Sequence, residues 1–264
     1  MKVLFLGDVF GKPGRQAVQR LVPRLITRHG LDLVVANAEN VASGAGVTPE
    51  LADELLAAEV DLLTSGNHIW SKREIVPYLD KPGSRLLRPA NYPPGAPGRG
   101  RGVATTPDGR KLGVINLEGR VFMKTLDDPF RVVLEELAAL RKEGCTCILV
   151  DMHCEATSEK WAMGHYLDGR VSAVIGTHTH VQTADERLLP QGTAFLTDVG
   201  MCGPFDSIIG MKTELAMERM LTQRSRGSGP GENDVWLQGA IVDIDETTGK
   251  ATAIRRVRER LPGT

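Results

Sequence analysis

Histidines, carboxylates and carboxamides gather in short polar turns, each directly after an apolar run. Val3 to Leu6 is followed by Gly7-Asp8, Leu31 to Ala36 by Asn37-Ala38-Glu39-Asn40, and Leu62-Leu63-Thr64 by Gly66-Asn67-His68. Later runs end in Asp151-Met152-His153 and Gly176-Thr177-His178-Thr179-His180. Carboxylate, amide oxygen and imidazole donors without thiolate suit Fe, Mn or Zn and disfavour soft, thiol-seeking ions. Seven such candidates exceed the four ligands one zinc usually takes. They suit two ions that share a bridging carboxylate. Two divalent ions bring four positive charges, and Asp8 and Glu39 cancel two. The remaining two can hold a hydroxide and one phosphodiester anion, which makes phosphate esters the natural substrate class.

These turns need elements that aim them at one place, and the chain supplies a strand–helix rhythm. Arg15 to His29 has helical apolar spacing and stops at Gly30, with Pro23 predicting a kink or a later start. Thr48-Pro49-Glu50 reads as the N-cap, first-turn proline and first-turn acid of a helix reaching Ala58. Ser71 and Glu74 read as a capping box for a short third helix. Arg88 to Gly102, with four prolines, four glycines and three arginines, reads as irregular. Val103 to Thr106 and Lys111 to Leu117 flank the hairpin signal Pro107-Asp108-Gly109-Arg110. A helix from Asp128-Pro129 to Lys142 follows, then a strand Cys145 to Val150, a helix Glu155 to Leu167 and a strand Val171 to Ile175. Thr193 to Val199, Val235 to Asp243 and Ala251 to Val257 complete the strands, and Arg224 to Asn233 reads as a mobile loop. Parallel and hairpin strands with outer helices give a layered α/β fold, expected to be a single domain over 1–264. In an open sheet of this kind ligands bind beyond the carboxyl ends of the parallel strands, where all five turns lie.

Composition restricts the class without naming the chemistry. Lys plus Arg (32) balance Asp plus Glu (33) in 264 residues, so a sequence-independent grip on nucleic acid or an anionic membrane is not expected. No apolar run reaches membrane-span length, and the first one is too short for a signal peptide. Four cysteines make no disulfide scaffold, so a cytoplasmic setting is the default expectation. The sequence leaves oligomeric state open, a homo-oligomer included.

The order of Asp8, the acidic strand end, Gly66-Asn67-His68, the lone His153 and Gly176-x-His178-x-His180 resembles the calcineurin-like metallophosphoesterase superfamily. Gly7-Asp8-Val9-Phe10-Gly11, Asn37 to Asn40, the stretch His153 to Lys160 and Asp206-Ser207-Ile208-Ile209-Gly210 resemble its YmdB-like bacterial branch, over nearly the whole chain. The resemblance implies a four-layer αββα sandwich of two mixed sheets, and a pair of transition-metal ions, iron before manganese and zinc last. It also implies hydrolysis of phosphodiesters, with 2′,3′-cyclic nucleotides, RNA-derived ones included, as small-molecule substrates. Two departures from the wider superfamily fit the branch: Phe10 stands where a histidine is usual, and Glu39 replaces the usual bridging aspartate. Carried over, one ion takes Asp8, Glu39, Asn40 and His180, and the other takes Glu39, Asn67, His153 and His178. The ions would activate a bridging hydroxide. His68, next to a ligand, is then the natural general acid for the leaving alkoxide. Cys154 places a thiol next to His153, where a small residue such as alanine is expected.

Other readings have less support. Gly7 to Gly14 is glycine-rich after a strand, but Pro13 stands where a P-loop needs its hydroxyl, and Gly-x-Gly-x-x-Gly is missing. A metal-dependent nucleotidase or phosphomonoesterase is the alternative activity, and a regulatory protein acting through a partner is the alternative class. His29 is expected to meet a helix dipole and His165 to be structural. Cys145 and Cys147 are expected on one face of a strand as core residues. Arg88, Arg99 and Arg101 are either a phosphate rim or a solvated loop, and Arg255, Arg256, Arg258 and Arg260 an exposed strand face.

Overall fold

The computed structural model describes all residues of 1–264 except 225, 226 and 228. Strands β1 (Lys2–Leu6) and β2 (Asp8–Val9) lead into α1 (Gly11–His29), followed by β3 (Leu33–Asn37), α2 (Pro49–Ala57) and β4 (Leu62–Thr64). A 3-10 turn at Ile69–Ser71 precedes α3 (Ile75–Leu79), then come β5 (Arg101–Thr105), β6 (Lys111–Glu118), α4 (Pro129–Lys142) and β7 (Cys147–His153). Next are α5 (Thr157–Tyr166), β8 (Ala173–Thr177), β9 (Arg187–Leu188), β10 (Ala194–Leu196) and β11 (Met201–Pro204). Helix α6 (Thr213–Thr222) and the long pair β12 (Val235–Ile244) and β13 (Ala251–Arg260) end the chain.

The strands form two mixed sheets. The first runs β2-β11-β12-β1-β3-β4, with β13 along the free edge of β12; β1, β3 and β4 are parallel. The second runs β5-β6-β7-β8-β10-β9, parallel from β6 to β10 with antiparallel edges. Alternation along each strand then builds three cores. In β1, Leu4 and Leu6 face α1 and its Val18 and Leu21, while Val3 and Phe5 face the second sheet. In β7, Leu149 looks between the sheets, and Ile148 and Val150 look toward α4 and α5. Three cores separate four layers, the αββα sandwich. Each large aliphatic side chain taken fully from water contributes about 1.5–3 kcal/mol, so both faces of each sheet are strongly specified.

Local chemistry explains the helix ends that matter. Thr48 Oγ1 accepts from Leu51 N and Asp128 from Phe130 N, each with proline next in the chain. Three expectations are corrected. Helix α1 starts earlier, at Gly11, and runs unbroken through Pro23; that residue lies on a partly exposed face, where the carbonyl it leaves free is open to water. Ser71 and Glu74 make no capping box, because Ser71 ends the 3-10 turn and α3 starts only at Ile75. Cys145 and Cys147 do not share a face: Cys145 precedes β7 and packs toward α4, and Cys147 packs between the sheets. Part of the loop expected at Arg224 to Asn233 lies outside the described residues. No helix among the described residues is long and apolar enough to cross a membrane.

Candidate metal centre

The layer between the sheets is apolar along most of each strand and polar at its carboxyl end. The same alternation that buries Leu149 carries on to Asp151 and His153. Val35 is followed by Asn37 and Ile175 by Thr177. The strand ends thus bring their donors together in the place the sequence requires. Asp8 and His153 are fully buried, and Glu39, Asn40 and His180 nearly so. Gly66 lets the turns close, since a Cβ there would strike the His153 ring and the Glu39 carboxylate.

Two groups of lone pairs result. His153 Nε2 lies 3.0 Å from Asn67 Oδ1, 3.1 Å from His178 Nδ1 and 3.2 Å from Glu39 Oε1. His180 Nε2 faces Asp8 Oδ1 at 3.9 Å, and His153 Nδ1 lies 3.8 Å from the same oxygen. Asp8 Oδ1 and Asn40 Oδ1 are buried without any hydrogen-bond partner. The orphaned amide oxygen is not an accident of rotamer, because Asn40 Nδ2 donates to Gly44 O at 2.9 Å and so turns Oδ1 inward. Burying an unpaired carboxylate oxygen and an unpaired amide oxygen is costly unless a cation takes them up. The donors present therefore fit metal ions.

All three histidines are oriented through a hydrogen bond or ion pair at one ring nitrogen. Thr177 Oγ1 donates to Asp151 Oδ1 at 2.7 Å and so accepts from His153 Nδ1 at 2.9 Å. His178 Nε2 lies 3.2 Å from Glu155 Oε2, and His180 Nδ1 lies 2.8 Å from Ile209 O. Each ring thereby turns its other nitrogen to the centre, the usual outer support of a metal-binding imidazole. His178, at φ 98, and His180, at φ 64, adopt left-handed backbone that side-chain-bearing residues seldom take. Thr179 between them is pinned by Asp198, whose Oδ2 accepts from Thr179 N at 3.1 Å and Oγ1 at 2.7 Å. Lys160 Nζ meets the same oxygen at 2.7 Å, fully buried.

The electrostatics call for positive charge. Burial opposes ionisation of His153, but Glu39, then Asp8 and Asp151, outweigh it and lift the imidazolium to about 10. Burial likewise opposes a charge on Glu39, and the contacts with His153 and His68 overcome it, holding the carboxyl at about 2. Burial raises the Asp8 carboxyl and holds Asp151 up at about 6. Burial, then the charge on His153, pushes His178 down to about 3. Without metal, a proton on His153 is shared among acceptors that a cation would satisfy better.

His68 stands apart from the donor set. Its backbone N–H donates to Glu39 Oε2 at 3.1 Å, and its half-buried ring lines a cavity of about 490 Å³ over Glu39, Asn40, His178 and His180. Cys154 turns away: it packs in the core toward α5, donates to Ala156 O at 3.4 Å, and burial pushes its thiol up to about 12. Sequence reasoning missed the supports. Asp151 is signalled only by its two-residue offset from His153 on a strand, and Lys160 and Asp198 by nothing local.

Arg88 is buried and donates to the carbonyls of Pro89, Pro97 and Gly98, whereas Arg99 is exposed and donates to Ser84 O, and Arg101 pairs with Glu136 at the surface; none of the three lines the cavity over the donors. His165 is exposed, its ring 5.8 Å from that of Trp161 and away from the cavity. His29 ends α1, but partial burial, then Arg255 and Arg28, lower its pKa, so the imidazolium is not favoured there. Arg255, Arg256 and Arg260 pair along the outer strand with Asp243, Glu186 and Asp234, and Arg258 lies over Trp236.

A YmdB-like family model matches residues 4–257. The chain belongs to the YmdB-like family. Over 257 residues it is 46% identical to a 2′,3′-cyclic-nucleotide 2′-phosphodiesterase of Bacillus subtilis (strain 168), covering 97% of this chain and 96% of that one. A crystal structure of a hypothetical protein from Thermus thermophilus superposes with a TM-score of 0.92 at 41% identity, covering 99% of this chain and 100% of that one. The calcineurin-like phosphoesterase YfkN of Bacillus subtilis superposes with a TM-score of 0.58 at 12% identity over 100% of this chain and 91% of that one. That likeness shows the fold alone, the calcineurin-like metallophosphoesterase sandwich. The YmdB-like chain thus shares that fold.

Proposed function

We propose that this YmdB-like protein is a metal-dependent phosphodiesterase that opens 2′,3′-cyclic nucleotides to nucleoside monophosphates, with residues 1–264 acting as one catalytic unit. The observation that carries the reading is the pair of orphaned, buried acceptors, Asp8 Oδ1 and Asn40 Oδ1, next to the His153-centred group of lone pairs. The name of the Bacillus relative supports the substrate class. Asp8, Glu39, Asn40 and His180 would hold one ion, and Glu39, Asn67, His153 and His178 the other, with iron or manganese matched to the oxygen and imidazole donors. When bound, such ions supply Lewis-acid polarisation of the phosphoryl oxygens and a more acidic water.

The chain's own residues do the rest. Glu39, oriented by the His68 amide and His153, keeps the two donor groups in one rigid arrangement. Asp151 and Thr177 fix the proton of His153 on Nδ1. His68, whose backbone is tied to Glu39 while its ring lines the cavity, donates the proton to the departing ribose oxygen. The test is turnover of bis-p-nitrophenyl phosphate and of a panel of 2′,3′-cyclic, 3′,5′-cyclic and monoester nucleotides after reconstitution with Fe, Mn or Zn. Diester turnover abolished by chelation is expected. Turnover of a 5′-nucleotide faster than every diester would make the protein a nucleotidase, and inertness of the loaded protein would overturn the enzyme reading.

A further inference from the structure

The stretch Asp206 to Gly210 touches the donor cluster through the Ile209 carbonyl, and its backbone is tightly constrained. Ile209 has φ 46, a left-handed conformation that is a genuine outlier for a β-branched residue. The surroundings impose it. Ser207 Oγ donates to Pro204 O at 2.6 Å and accepts from Gly210 N at 2.9 Å. Gly210, at φ 101, lies against the Phe10 ring, where a Cβ would come within 2.7 Å of ring carbons. The Ile209 carbonyl is thereby held against His180 Nδ1 at 2.8 Å. Holding that carbonyl does not require the isoleucine side chain, which remains 52% exposed.

That side chain lines the cavity over the donor cluster and also an adjoining one of about 300 Å³ along α6. Met211 and Arg219 are likewise shared by both cavities. Together the two have the size of a small-molecule site. One end holds the carboxylates and histidines. The other is walled by Ile209, Met211, Leu215 and Met220, with Arg219 as the one arginine or lysine among the described lining residues. Its guanidinium makes no ion pair among the described residues. An apolar wall accepts the faces of a planar ring, and a single unpaired guanidinium on its rim donates to acceptors on the ring's edge. A second phosphate of an RNA chain would call for more than one cation.

Resting on the phosphodiesterase reading, we infer that Ile209, Met211 and Arg219 form the nucleobase subsite, and that Arg219 favours guanine by donating to two adjacent base acceptors. Guanine offers O6 and N7 side by side, whereas adenine presents a donor amine beside N7, which a group that only donates cannot satisfy. The experiment compares kcat/KM for guanosine, adenosine and base-less methylribose 2′,3′-cyclic phosphates in the metal-loaded wild type and in Arg219→Ala. The substitution lies on an exposed helix face and leaves fold and metal ligands alone. The expected result is a loss of roughly 10–100-fold for the guanosine compound, carried mainly by KM. The base-less compound should stay within about 2-fold of wild type, and the preference for guanosine over adenosine should vanish. Calorimetric titration of guanosine 3′-monophosphate into both proteins reads the subsite without turnover, and the same loss is expected there. Equal losses on all three cyclic phosphates would move Arg219 to the phosphate, and unchanged values would remove it from the site; either overturns the inference. Failure of the phosphodiesterase reading shows separately, as wild type inert toward bis-p-nitrophenyl phosphate.

Discussion

Replacing Lys160 with methionine tests how the two-histidine turn is held. Lys160 Nζ and Asp198 Oδ2 are 2.7 Å apart, and both side chains are about 1% exposed. Removing one member of a buried pair typically costs ~3–5 kcal/mol, because the other charge stays buried without its counter-ion. Here Asp198 keeps three hydrogen-bond donors, the amides of Thr179 and Gly200 and the Thr179 hydroxyl. These soften the loss, so the lower end, ~3 kcal/mol, is expected. For a chain of this size that corresponds to a Tm lower by about 6–12 °C, read by circular dichroism in excess chelator so that no ion contributes. The double variant Lys160→Met with Asp198→Asn removes both charges, leaves Thr179 an acceptor, and should recover most of the loss. Since Thr179 separates His178 from His180, the single variant should also bind manganese more weakly than the double. A single variant within about 1 °C of wild type would refute the argument. A double variant as unstable as the single would show that the lysine stem, not its charge, supports the turn.

Glu39→Gln should weaken both ions together and His153→Ala chiefly one, read as ions per chain by elemental analysis. A plateau of one ion per chain in wild type would overturn the paired arrangement. Thr177→Val removes the acceptor for His153 Nδ1 and should lower metal affinity roughly 10–100-fold with the fold intact, measured by competition with a chelating dye. His68→Ala should keep its metal and lose roughly 10²–10⁴ in rate on cyclic nucleotides, whose alkoxide needs a proton, and less on bis-p-nitrophenyl phosphate. For metal-free protein, His178 sits at about 3 against an ordinary 6.5, so below 6.5 only the unfolded chain takes up its proton. The contribution of His178 to stability should be full above pH 6.5 and fall by up to about 1.4 kcal/mol per pH unit toward pH 3. Urea titrations of wild type and His178→Gln check this: stability should fall less steeply with acid in the variant, and equal slopes would refute it.

The donors were legible in the sequence because chemistry and position coincide there. A polar turn after an apolar strand must sit at a sheet's edge, and Glu39, Asn67, His153, His178 and His180 all lie within a few residues of such an end. The same alternation made the layering readable: Leu4 and Phe5 cannot face the same side. Weakly apolar or very short elements were less visible. Helix α6 has no buried residue to give a periodic signal, and β2, two residues long, exists only because Met201 and Cys202 pair with it.

What a local pattern cannot contain is the partner that arrives from elsewhere in the chain. Asp151 reaches Asn37 from 114 positions away and Thr64 from 87, so nothing beside any of them announces the network that sets the His153 proton. Lys160 and Asp198 are 38 residues apart, and the strain at Ile209 is imposed by Phe10 and Ser207 rather than by its own neighbours' propensities. A metal ligand needs only the right atom at a strand end, which one residue type supplies. Its orientation needs a second and third group from other strands, and those are ordinary core residues in sequence. The left-handed backbone of His178 and His180 makes the same point: nothing in Thr177 to His180 prefers it, and Asp8, Asp198 and Ile209 hold it by three separate hydrogen bonds. The donor set is therefore a local property of this chain, and its geometry is a property of the two sheets meeting.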